Sequence, residues 1–157
     1  MKRVSLFVDV QNIYYTTRHA FTRNFDYNRF WARATRNRQV VHACAYAIDR
    51  GDSKQAQFQN ILRAIGFKVK LKPFIQRKDG SAKGDWDVGI TLDVMEAAAT
   101  TDIIVLASGD GDFAMLLERA TQRYGVETEV YGAELLTASS LIKAATRYVP
   151  ITEALLL

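Results

Sequence analysis

Three short runs in this chain are apolar nearly throughout rather than at every second residue: Val4–Asp9, Val40–Ile48 and Ile103–Ala107. A strand wetted on one face alternates apolar and polar side chains, so runs of this kind need cover on both faces. The stretches between them carry apolar residues at helical spacing. Asp26–Arg36 would turn Phe30 and Ala34 inward and Arg29, Arg33 and Arg36 outward. Phe58, Ile61, Leu62 and Ile65 make a second stripe closed by Gly66, and Val88, Thr91, Leu92, Met95 and Ala99 a third. Phe113, Leu116, Leu117, Ala120 and Tyr124 lead to a helix-ending Gly125, and Ala138, Leu141, Ala145 and Tyr148 form the last stripe. Further strands are expected at Phe67–Phe74 and Glu127–Tyr131, with a short one near Tyr148–Ile151. Strands alternating with helices predict an α/β three-layer sandwich on a mainly parallel sheet of about five or six strands. With no repeat, low-complexity tract or obvious linker, residues 1–157 read as one domain.

In such a sheet, ligands gather beyond the carboxyl ends of the strands, where the strand order reverses. Two strand tips here carry acid. Val4–Val8 runs into Asp9-Val10-Gln11-Asn12, and Ile103–Leu106 runs into Ala107-Ser108-Gly109-Asp110-Gly111-Asp112. A third source is Asp85-Trp86-Asp87, at the start of the helix that carries Asp93 within an apolar stretch. Capping and the helix dipole account for one aspartate of that pair, less well for both, and not for Asp93. If Asp9, Asp87, Asp110 and Asp112 converge, their repulsion raises their proton affinity unless a cation lies among them. Oxygen-only acidic sites suit Mg²⁺ or Mn²⁺. Asn12 and Ser108 are candidates for orienting such carboxylates, although an N-cap role explains Asn12 equally well.

The net charge of +4 conceals an asymmetry. Residues 1–84 hold 17 Lys or Arg against 5 Asp or Glu, and residues 85–157 hold 4 against 12. A basic half beside an acidic half suits a polyanion held by one part while metal-binding acids work in the other, though solvated basic faces give the same count. Phe67–Phe74 alternates apolar residues with lysines, as an edge strand with one wet face would. Lys72 on it, and Arg77, Lys78 and Lys83 in the polar loop Gln76–Gly84, are the candidates for meeting nucleic acid. Edge protection explains the strand lysines at least as well. Trp86, Tyr14 and Tyr15 could stack on bases, but packing is the commoner use of such residues. Cys44 is the single cysteine, expected as a buried thiol in a reducing cytoplasm. No run of about 18 uncharged apolar residues and no signal-peptide pattern is present, so no membrane partner is expected.

Three blocks in order resemble the NYN domains of the PIN-like nuclease superfamily, and within it the LabA-like branch. They are Phe7-Val8-Asp9-Val10-Gln11-Asn12, then Lys83-Gly84-Asp85-Trp86-Asp87-Val88 with Leu92-Asp93, and Ser108-Gly109-Asp110-Gly111-Asp112-Phe113. The resemblance implies a Rossmann-like, PIN-like fold and an acidic pocket binding Mg²⁺ or Mn²⁺. It also implies hydrolysis of RNA, with single-stranded DNA as a second polymer and a homodimer as a further expectation. Carried onto this chain, the catalytic and metal-binding set is Asp9, Asp87, Asp110 and Asp112, supported by Asn12, Ser108, Asp93 and Asp85. Asp-Trp-Asp stands here where many relatives have a single aspartate. Asp87 is preferred over Asp85 because its six-residue step to Asp93 matches the family pattern.

A regulatory module that binds nucleic acid or protein without turnover is the alternative on the same fold, and the complete acid set argues against it. An aspartyl-phosphate mechanism would want an aspartate where Gln11 stands. No Gly-x-Gly-x-x-Gly follows the first strand, which argues against dinucleotide binding. A calcium loop from Asp110 would need a glutamate where Thr121 stands. His19 and His42 show neither ligand spacing nor a paired nucleophile.

Overall fold

The structure is a computed structural model that describes residues 1–76, 82–83 and 85–157, with backbone only for 75, 76, 82 and 83. The chain runs β1 (Lys2–Asp9), α1 (Val10–Phe21), α2 (Tyr27–Ala34), β2 (Arg38–Asp49), α3 (Ser53–Ile65) and β3 (Lys68–Pro73). It continues through β4 (Ile75–Gln76), β5 (Ala82–Lys83), α4 (Asp87–Ala98), β6 (Ile103–Ala107), α5 (Ala114–Tyr124), β7 (Glu127–Gly132), α6 (Ser139–Ala144) and β8 (Arg147–Pro150). Six strands form one sheet in the order β3-β2-β1-β6-β7-β8, every neighbouring pair parallel. β4 and β5 make a separate two-residue antiparallel pair. Sequence order reverses between β1 and β6, so the switch point lies at the tips that carry Asp9 and Ser108.

Both faces are covered. Val10 and Ile13 of α1, Tyr27, Phe30 and Ala34 of α2 and Leu62 of α3 pack on one side with Val4, Leu6, Val8, Ala45 and Val105. Ile90 and Val94 of α4, Leu116, Leu117 and Ala120 of α5 and Leu141 of α6 pack on the other with Phe7, Tyr46, Ile104 and Leu106. This two-sided burial is what the apolar runs demanded. β3 lies at the sheet edge as its lysine alternation indicated, and Cys44 is buried.

Four local expectations need correction. Asn12 is not an N-cap: β1 passes directly into α1, and Asp9 occupies the cap position without a side-chain cap bond. On α3, Ile61 is exposed and Gln59 is buried beside Leu62. On α4 the expected stripe is turned largely outward, with Val88 70% and Leu92 65% exposed and Met95 half-buried at the core margin, while Ile90, Val94, Ala97 and Ala98 face the sheet. α4 is apolar on nearly every side, so periodicity cannot choose its inner face. Two tethers choose it: the Trp86 indole nitrogen donates to the Ala47 carbonyl at 2.9 Å, and Asp93 is bound from β2 and β3. Finally, α6 stops at Ala144 and Tyr148 belongs to β8, where its hydroxyl donates to the Gly132 carbonyl.

Candidate metal centre

β1 delivers Asp9, nearly buried, to the centre of the carboxyl edge. α4 begins with Asp87, and the turn after β6 presents Asp110. Among the described residues, one carboxylate oxygen from each of Asp9, Asp87 and Asp110 lies within 4.8 Å of the others. Three elements far apart in sequence thus aim acid at one point. Carboxylate oxygens this close together could hold a metal ion.

The loop is held by bonds between the two central strand tips. Ser108, fully buried, donates from its hydroxyl to Asp9 Oδ2 at 3.1 Å and accepts from the Asp110 amide at 3.1 Å. Asn12 Oδ1 accepts from the Gly109 amide at 2.8 Å. Ser108 and Asn12, two of the four supporting residues named from sequence, therefore tie the acidic turn to the end of β1 and the first turn of α1. Asp110 Oδ1 also accepts from the Asp112 amide at 2.9 Å and caps the 3-10 turn Gly111–Phe113. A buttress not foreseen in the sequence closes over the turn from the other side. The Ala138 amide donates to the Gly109 carbonyl, and a Cβ on Gly109 would sit 2.5 Å from the Leu136 carbonyl oxygen. The signal available was the glycine pair itself, which marks close backbone approach.

The electrostatics follow from burial and crowding. Burial pushes the Asp9 carboxyl up to about 6, against the Ser108 hydroxyl and the backbone N–H of Asn12, with Asp110 and Asp85 adding repulsion. Asp87 rises to about 7, through desolvation first and then through the charge of Asp110 and a hydrogen bond with it. A bound cation reverses both effects by favouring the ionised forms.

A family model for the NYN domain matches residues 3–152. The chain belongs to the NYN domain family. It is 27% identical to the low amplitude and bright protein LabA of Synechococcus elongatus, across 96% of this chain and 84% of that protein. The crystal structure of a protein of unknown function, VPA0982 from Vibrio parahaemolyticus, is similar to it with a TM-score of 0.95 and 55% identity, over 99% of this chain and 96% of that one. The structure of ribokinase from Giardia lamblia shares the fold alone, with a TM-score of 0.51 and 13% identity over 79% of this chain and 45% of that one.

The remaining candidates of this NYN domain fall at the rim or beyond it. Asp112 is exposed on the 3-10 turn, outside the group of three. Asp85 is also exposed and accepts from the Asp87 amide at 3.2 Å. Asp93 lies one and a half turns along α4. Its Oδ2 accepts from Lys70 Nζ at 2.6 Å and from the Tyr46 hydroxyl at 2.7 Å. Burial opposes its charge, but those two bonds hold its carboxyl below the usual range. Lys72 Nζ sits 4.5 Å over the Trp86 ring and donates to the Asp85 carbonyl at 3.1 Å. Trp86 is packed between that lysine and Tyr46, and a Cβ on Gly89 would meet its ring at 2.6 Å. Arg77 and Lys78 lie outside the described residues, and for Lys83 only the backbone in β5 is described. No helix among the described residues is long and apolar enough to cross a membrane.

Proposed function

We propose that this NYN domain is a metal-dependent nuclease that hydrolyses RNA phosphodiesters at the aspartates of the switch point. The observation that carries the reading is the convergence of Asp9, Asp87 and Asp110 from three separate elements. A purely structural surface gains nothing from placing unpaired carboxylates this close, whereas a cation site requires it. These three residues would hold Mg²⁺ or Mn²⁺, which when bound supplies Lewis-acid activation of water and charge stabilisation at the phosphorus. Ser108 and Asn12 keep the carboxylates in place during turnover. Asp85 and Asp112, both exposed, extend the negative rim and would be the next residues to orient water at the site. The cationic first half of the chain supplies the attraction for a polyanion that the acids alone would repel. A homodimer belongs to the same reading as a partner expectation.

The test pairs calorimetric titration of Mg²⁺ and Mn²⁺ into wild type and Asp110→Asn with incubation of both on labelled RNA and single-stranded DNA. Metal binding and cleavage by wild type, both lost in the variant, are the expected result. RNA bound without metal and never cut under any divalent ion would replace the nuclease by a regulatory binding module.

A further inference from the structure

α1 starts one residue after Asp9 and displays two aromatic rings that its packing does not use. Val10, Ile13 and Thr17 form its buried face, and Asn12 points to the acidic turn. Gln11, Tyr14, Tyr15 and Arg18 recur at i, i+3, i+4 and i+7, so they share one outward stripe. Tyr14 is 54% and Tyr15 57% exposed. Their rings meet edge to face at 5.9 Å and 71°, an arrangement that leaves a ring face of the pair open to solvent. The expectation that these tyrosines serve packing therefore fails on their exposure.

We propose that this stripe is a stacking platform for the unpaired bases of single-stranded RNA beside the phosphate held at the triad. This deepens the nuclease reading and rests on it. Position is the first argument: Tyr14 lies five residues along α1 from Asp9, about 7.5 Å of helix axis. A strand with one phosphate at the triad has its neighbouring bases within reach of the rings. Charge is the second. From Val10 to Phe25 the chain has no acid, and it carries Arg18, His19 and Arg23. An aromatic pair beside a guanidinium matches a base followed by its phosphate. The pairing also sets the substrate class. A duplex keeps its base faces stacked inside and offers these rings nothing, whereas an unpaired strand offers a π-face at every nucleotide. Gln11, two residues after Asp9 and at the head of the same stripe as the tyrosines, is placed to read the edge of the base nearest the cut.

The experiment measures binding separately from cleavage. In an Asp110→Asn background, fluorescence anisotropy follows a labelled single-stranded oligouridylate, an abasic strand of the same length and an RNA duplex. Tyr14→Ala/Tyr15→Ala is expected to weaken the oligouridylate roughly tenfold to a hundredfold and to leave the abasic strand and duplex unchanged, while Tyr14→Phe/Tyr15→Phe binds as the parent does. Thermal melting reports whether the variants remain folded, and with both rings exposed no loss is expected. In the Asp110-containing enzyme the same alanine pair raises KM and leaves kcat within twofold. Equal oligouridylate binding by parent and alanine pair overturns the proposal, as does an equal loss on all three ligands or no binding by the parent. If the Asp110-containing protein cuts nothing but the alanine pair still loses the oligouridylate selectively, the nuclease reading falls and the platform stands.

Discussion

Replacing Asp9 with asparagine is expected to stabilise the metal-free protein, against the usual direction of a substitution at a buried site. Asp9 is held at about 6 in the folded chain, against an ordinary value of 3.8. That gap is worth about 3 kcal/mol. Below the ordinary value both states are protonated and the full stability is present. As pH rises through the folded value, the native state must accept an ionised, poorly solvated carboxylate, and the stability is lost. Asparagine stays neutral throughout and can still accept the Ser108 hydroxyl. Its amide must find acceptors in Asp87 or Asp110, which offsets part of the gain. The variant should therefore melt about 5–10 °C above wild type near pH 8 in chelator. Near pH 4 the advantage should vanish. The assay is thermal unfolding followed by circular dichroism at both pH values, with and without Mg²⁺ or Mn²⁺. Metal should reverse the ranking: a cation at a thousand times its Kd stabilises wild type by about 4.1 kcal/mol, and the variant by much less. A variant that melts at or below wild type near pH 8 in chelator would refute the argument. So would a gain of equal size at both pH values, because the stabilisation would then not come from the charge.

Three further outcomes follow from the same geometry. Gly109→Ala drives a methyl group against the Leu136 carbonyl and Thr137 Cα, so urea unfolding should show a loss of about 2 kcal/mol or more, with weaker Mn²⁺ binding in titration. Asp93→Ala leaves the Lys70 ammonium and the Tyr46 hydroxyl without their shared acceptor and should cost about 2 kcal/mol near neutral pH. Because Asp93 is held below the usual range, that difference should fade as pH falls through its folded value, and Mn²⁺ binding by calorimetry should weaken because Asp93 orients the helix that begins with Asp87. Leu92→Lys on the outer face of α4 should change urea stability by less than about 0.5 kcal/mol, whereas an inward-facing leucine would lose several times that.

What was legible in this sequence, and what was not, divides along a physical line. β1, β2 and β6 could be read because burial on both faces leaves a nearly unbroken apolar run, and β3 because one wet edge leaves alternating lysines. Asp9 and Asp110 could be placed because parallel strands bring their carboxyl ends to one edge whatever their order. In the sequence α1 shows only as a candidate cap at Asn12, with no stripe or extent, because its inner face includes Thr17, satisfied by the Ile13 carbonyl, while its outer face carries two tyrosines. That composition inverts the hydrophobic pattern by which a helix is ordinarily recognised. α4 fails in the opposite way, being apolar on the wrong face as well as the right one. The orientation of α4 depends on Asp93, and Asp93 depends on strand register. Tyr46 and Lys70 are directly paired across β2 and β3, so both point to the face that α4 covers. A slip of one residue would turn either partner away and leave a half-buried carboxylate in the helix unpaired. Asp93 therefore orients the helix that begins with Asp87. The sequence signalled an acid out of place but not the reason for it, because the two groups that bind it come from separate strands and only the register brings them together.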